Sequence, residues 1–71
     1  MNEKELANWI LIKVKTDNHL TDLYSEFIDG KSLDQTVEIL RHISFLPKVT
    51  FEDVIILSLF IGITTEQELI K

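Results

Sequence analysis

The sequence predicts an all-α fold, a compact bundle of four to five short helices. Three observations carry this. Helix-start signals recur: Asn2 is followed three residues later by Glu5, Ser32 by Gln35, Thr50 by Asp53 and Thr65 by Glu68. In each, a short polar side chain accepts from orphan backbone N–H groups and the later acid or amide reaches back. Leu20, Leu23, Tyr24, Phe27 and Ile28 recur at i, i+3, i+4, i+7 and i+8, the buried stripe of a helix. Finally, stop signals fall between the periodic segments, at Gly30, Pro47 and Gly62.

The first helix is expected over residues 2–15, with Glu3 and Glu5 suited to the positive end of its dipole. Trp9-Ile10-Leu11-Ile12-Lys13-Val14-Lys15 ends in strict alternation and is rich in β-branched residues, so a strand is its competitor. The capping signal decides for helix. Trp9 is expected in the core, or as an interface anchor. The second helix, 17–29, opposes its apolar stripe with Asp22, Glu26 and Asp29. The third, 32–45, has a narrower stripe of Leu33, Val37, Leu40 and Ile43 or Ser44, and Glu38 can pair with Arg41. Arg41 and His42 suit its negative end.

The fourth helix, 50–61, is apolar nearly all round: Phe51-Glu52-Asp53-Val54-Ile55-Ile56-Leu57-Ser58-Leu59-Phe60-Ile61. It is expected as the central helix of the bundle, touched on every side by the others; the alternative is that one side closes a homodimer or receives a partner, and a homodimer is the expected assembly. A buried strand is again the competitor. Residues 65–71 form a short fifth helix. Leu23 and Ile55 are expected as core positions, and turns of two to four residues make consecutive helices neighbours.

Seventy-one residues without a cysteine make one domain, 1–71, with no disulfide and no zinc-finger chemistry. Such a chain buries only about 60% of the surface its unfolded form exposes. The start Met1-Asn2-Glu3-Lys4-Glu5 lacks a signal peptide's basic and apolar regions. No apolar run reaches the roughly 20 residues of a membrane helix. With 45% apolar and 27% charged residues, the chain is too hydrophobic for disorder. A soluble, cytoplasmic protein is expected.

Charge is the sharpest functional hint. The whole net charge of −5 falls within residues 16–40, where Asp17, Asp22, Glu26, Asp29, Asp34 and Glu38 face a single base, Lys31. Elsewhere acids and bases balance. A one-sided negative field steers a small protein toward a basic partner. The expected function is therefore a non-enzymatic protein–protein interaction module, a small acidic regulator or inhibitor docking on a basic surface of a larger protein. Asp17, Asp22, Glu26, Asp29 and Asp34 are the candidate charged contacts, with Ile56, Leu59 and Phe60 as the apolar anchor. The first alternative is an acidic DNA mimic that competes for a nucleic-acid-binding protein.

Other chemistry is poorly supported. His19, Asp22 and Glu26 share a helix face, with His42 available from the next helix, but a metal centre needs ligands fixed from a second element. No metal or cofactor is expected. The acid pairs Glu3/Glu5, Glu52/Asp53 and Glu66/Glu68 all sit in first helical turns, which explains them without catalysis. No nucleophile motif or phosphate-cradling loop occurs, so an enzyme is not expected. In residues 57–69, Ser58, Gly62, Ile63 and the Thr65 cap are spaced as in many helix-turn-helix units. A truncated DNA-binding unit is the second alternative. It would present Glu66 and Glu68 to phosphates from a chain of pI about 4.8, so direct nucleic-acid binding is not expected.

Overall fold

The computed structural model describes residues 2–70, with side chains described for residues 2–66. The described residues form an all-α bundle. Helix α1 spans Glu3–Thr16 and α2 spans Asn18–Leu23, continuing without a break into a π-helical segment, Tyr24–Ile28. Helix α3 spans Leu33–Ile43 and α4 spans Phe51–Ile70.

The capping signals account for most boundaries. Asn2 Oδ1 accepts from the Glu5 N–H at 2.8 Å and starts α1. The alternating segment 9–15 is helical, so the strand competitor fails there. Asp17 both ends α1, by donating its N–H to Lys13 O at 2.9 Å, and starts α2. Its Oδ1 accepts from the N–H groups of His19 at 3.0 Å and Leu20 at 3.3 Å. Thr21 Oγ1 donates to Val14 O at 2.6 Å, satisfying a carbonyl at the α1 end and fixing the corner. The π segment closes through Asp29 N–H to Tyr24 O at 2.9 Å, and Gly30 follows with φ of 79°, the left-handed position that terminates a helix. Ser32 and Gln35 form a reciprocal capping box, with bonds of 3.0 and 3.2 Å. Thr50 and Asp53 form another despite the short acid: Thr50 N–H donates to Asp53 Oδ2 at 3.0 Å, and Asp53 N–H to Thr50 Oγ1 at 3.1 Å.

One expected helix boundary is overturned. The fourth and fifth helices are a single helix, and Gly62 is not a stop. Glycine ends a helix by taking a left-handed φ, and Gly62 does not take one. An interior glycine weakens a helix by only about 1 kcal/mol relative to alanine, too little to break one that packing supports. Thr65 therefore lies inside α4 and starts nothing, and Glu68 has no described side chain. The turn required for a helix-turn-helix unit is absent from residues 57–66.

The core gathers Ile10 and Val14 of α1, Leu20 and Leu23 of α2, Ile28, Leu40 and Ile43 of α3, Val49, and Ile56, Leu57 and Phe60 of α4. Leu57 is fully enclosed, and Tyr24 meets Phe60 edge-to-face at 5.3 Å between ring centres. Helix α4 packs against both α1 and α3, as a central helix should. Two expected core residues are not there. Ile55 is 42% exposed and Trp9 is 44% exposed, beneath Lys13 Nζ at 5.9 Å from the ring. Three neighbouring segments cover only part of the α4 cylinder. No helix among the described residues is long and apolar enough to cross a membrane.

Candidate functional site

Helices α3 and α4 lie against each other but do not close. Between them runs an open groove of about 670 Å³. From α3 come Leu33, Val37 and Leu40, at i, i+4 and i+7; from α4 come Phe51, Val54, Ser58, Ile61 and Gly62. Each set is one face of its helix by spacing alone. Leu40 is buried and forms the base, while Leu33 and Val37 are each 49% exposed and Phe51 is 80% exposed. The exposed face of α4 extends outward from the groove through Ile55 and Leu59.

Two small residues, Ser58 and Gly62, lie one turn apart on the α4 wall. The Ser58 hydroxyl is satisfied within its own helix, donating to Val54 O at 2.7 Å. A Cβ placed on Gly62 would meet nothing within 4 Å. The wall is therefore low and open at this point.

Acids adjoin the groove residues in sequence, but none is among the lining. Asp34 and Glu38 follow Leu33 and Val37 by one position each on the solvent side of α3. Glu52 stands beside Phe51, and Glu66 one turn beyond Gly62; all four are exposed. Arg41 is the one cation in the lining, and Glu38 Oε1 accepts from it at 3.4 Å. His42 Nε2 lies 4.0 Å from the other Glu38 oxygen.

The residues expected from sequence are only partly brought together. Asp17 is committed to capping α2. The Leu20 N–H, with that of His19 and the Lys13 ammonium at 3.5 Å, holds its carboxyl below the ordinary value. Glu26 Oε2 accepts from Lys48 Nζ at 3.2 Å, and the same ammonium sits 5.4 Å from the Phe27 ring. A cation from the α3–α4 connection thus interrupts the acidic ridge of the second helix. Asp22, Asp29 and Asp34 are exposed and make no ion pair among the described residues. Ile56 and Phe60 are buried in the core, 5% and 7% exposed, and cannot anchor a partner. Leu59, at 44%, can.

Of the groove residues, Leu33 and Val37 were expected in the buried stripe of the third helix but are each half exposed, and Phe51, Val54 and Ile61 were read only as part of a helix apolar nearly all round. One signal could have found the face: Glu52, Ser58, Gly62 and Glu66 recur on one side of α4 and mark it as solvent-facing, carrying Phe51, Ile55 and Leu59 with them.

The histidine–carboxylate chemistry goes elsewhere. His19 Nε2 donates to Asp53 Oδ2 at 2.8 Å, tying the start of α2 to the start of α4. Asp53 is the one buried acid among the described residues of α4. Burial opposes its ionisation, but hydrogen bonds from the Thr50 N–H and His19 outweigh it and hold the carboxyl below its ordinary value. With His19 on Asp53 and Glu26 on Lys48, the His19–Asp22–Glu26 face does not converge. No group of three or more metal-ligating side chains gathers among the described residues.

No protein-family model matches this chain, and comparison with curated proteins and with solved structures finds no match.

Proposed function

We propose that the protein is a non-enzymatic interaction module, a small acidic regulator that docks on a larger protein through the α3–α4 groove. The observation that carries this reading is the groove itself, an open, mostly apolar channel of about 670 Å³ between α3 and α4, continued outward by the exposed Ile55 and Leu59. Contiguous exposed apolar surface is a feature of protein interaction sites. The net charge of −5 supports a partner that presents a basic surface. Asp22 and Asp29 on the neighbouring helix add steering at a distance. The mimic reading gains nothing, because Lys48 breaks the continuous negative ridge that mimicry of a phosphate backbone requires.

A second copy is the competing occupant. In such a pair two chains of net charge −5 would meet, and like charge opposes that association.

The test is affinity capture with three forms of the chain: wild type, Val37→Lys, and Asp22→Asn/Glu26→Gln/Asp29→Asn. Val37 is half exposed, so the lysine is accommodated and the melting curve stays close to wild type. Capture by wild type and the triple variant, but not by Val37→Lys, supports the groove. Capture by Val37→Lys at the wild-type level refutes it.

A further inference from the structure

The two ends of the groove differ in chemistry. Leu33 and Ile61 sit at one end, where they also line a smaller neighbouring cavity together. At the other, Arg41 and Ser44 come from the closing turn of α3 and its cap, and Phe51 opens α4. Between the ends the lining is mainly aliphatic.

The polar side chains of the lining leave donors in one place. The Ser58 hydroxyl donates to Val54 O and the Ser44 hydroxyl to Arg41 O, each at 2.7 Å, so both hydrogens are spent on the backbone of their own helices. The Arg41 guanidinium carries five N–H groups and has one contact, 3.4 Å to Glu38 Oε1. That pair stands in water, with side chains 74% and 62% exposed, and such pairs hold weakly. The guanidinium fork matches a carboxylate through two parallel hydrogen bonds. No acid lines the groove, so an anionic head there meets a cation and no carboxylate of the lining.

Size sets the class of ligand. A volume of about 670 Å³ with a mostly apolar lining and few polar groups is that of a small-molecule site. Leu33 and Arg41 are separated by about 12 Å along α3, at about 1.5 Å per residue. A fully extended chain of single bonds advances by about 1.2 Å per bond, as an extended backbone does, so about ten carbons bridge the two ends.

Beyond docking on a protein, we propose that the same groove binds a medium-chain carboxylate of the fatty-acid type. Its head lies on Arg41, and its tail runs toward Leu33 and Ile61. Occupancy covers the surface assigned to docking, so ligand and partner exclude each other.

The probes are hexanoate, octanoate and decanoate, with 1-decanol as the neutral control, each kept below its aggregation limit. They are titrated into isotope-labelled protein while backbone amide resonances are followed. Decanoate is expected to shift the amides of Val37, Arg41, Val54 and Ile61. Each added pair of carbons should tighten binding by about fivefold or more. Decanoate should bind about tenfold more tightly than 1-decanol. Arg41→Gln replaces an exposed side chain and melts close to wild type. It is expected to weaken decanoate by about tenfold and to leave 1-decanol unchanged, which separates a contact with the head from general attraction to an apolar surface.

Equal binding of decanoate and 1-decanol, or unchanged binding of decanoate to Arg41→Gln, overturns the proposal. Shifts confined to α1 and α2, or no shift at millimolar decanoate, do the same. The docking reading fails separately. Decanoate shifts in the groove together with undiminished capture by Val37→Lys keep the ligand site and remove the docking site. No decanoate shift together with capture lost in Val37→Lys does the reverse.

Discussion

Asp53 shows how a single residue can look like chemistry and act as structure. It lies on the buried face of α4, where an unpaired carboxylate would be expensive. Its Oδ2 accepts from the Thr50 N–H at 3.0 Å and from His19 Nε2 at 2.8 Å, so the buried charge has two donors. The folded carboxyl titrates below its ordinary value of 3.8, with hydrogen bonds from Thr50 and His19 overcoming the opposing effect of burial. A depressed folded value stabilises the protein above the unfolded value and ceases to do so as the pH falls through the folded one. Asp53→Asn is therefore expected to lower stability by about 1–2 kcal/mol at neutral pH. It should also flatten the loss of stability that wild type shows on acidification below 3.8. Urea midpoints of both proteins across that range check this, and a parallel acid limb would contradict it. Gly62 makes the opposite case. Gly62→Ala should stabilise the free monomer by up to about 1 kcal/mol in thermal melts, since helix propensity rises and the methyl meets nothing. A fall in melting temperature would mean that the glycine serves the monomer after all.

At the scale of elements, the legible features were those decided locally. The Asn2, Ser32 and Thr50 caps were readable because the capping residue and the N–H groups it satisfies lie within three residues. The 20–28 stripe was readable because its period matched a helix. Thr65 misled because a capping signal acts only where a helix has already ended, and Gly62 did not end one. The π-helical turn at Tyr24–Ile28 left no trace in a stripe that reads as ordinary α-helix. The groove stayed hidden because α4 is apolar nearly all round: sequence could not say which third of it the other helices would leave bare. That division can be tested by comparing Leu23 with Ile55. Leu23 is 2% exposed and Ile55 is 42% exposed, although the sequence treats both as core. Leu23→Asp should abolish cooperative melting by placing an unpaired charge in the core. Ile55→Asp should stay within about 1 kcal/mol of wild type, as surface substitutions do. Circular dichroism melts of the two variants decide it, and an unfolded Ile55→Asp would place that side of α4 inside.

At the scale of the molecule, a small apolar core leaves much hydrophobic side chain at the surface, and a net charge of −5 keeps such a surface dispersed. Charge and apolar surface were both visible in the sequence, but their relative placement was not. The acidic ridge of the second helix is interrupted by Lys48, a contact across 22 residues of sequence that no local pattern announces. In the proposed docking mode the acids that contribute are instead those beside α3 and α4. Replacing Asp34, Glu52 and Glu66 by their amides should slow partner association and flatten its salt dependence, with dissociation less affected. Surface-binding kinetics at two ionic strengths measure both rates. An unchanged salt dependence would remove these acids from the interface.

The most direct measurement is amide hydrogen exchange of the whole chain, free and bound to the partner it captures. New protection along Leu33–Arg41 and Val54–Gly62, with Asp22–Asp29 unchanged, is the expected result. Protection confined to Asp22–Asp29 would contradict the groove and return the working surface to the acidic face of the second helix.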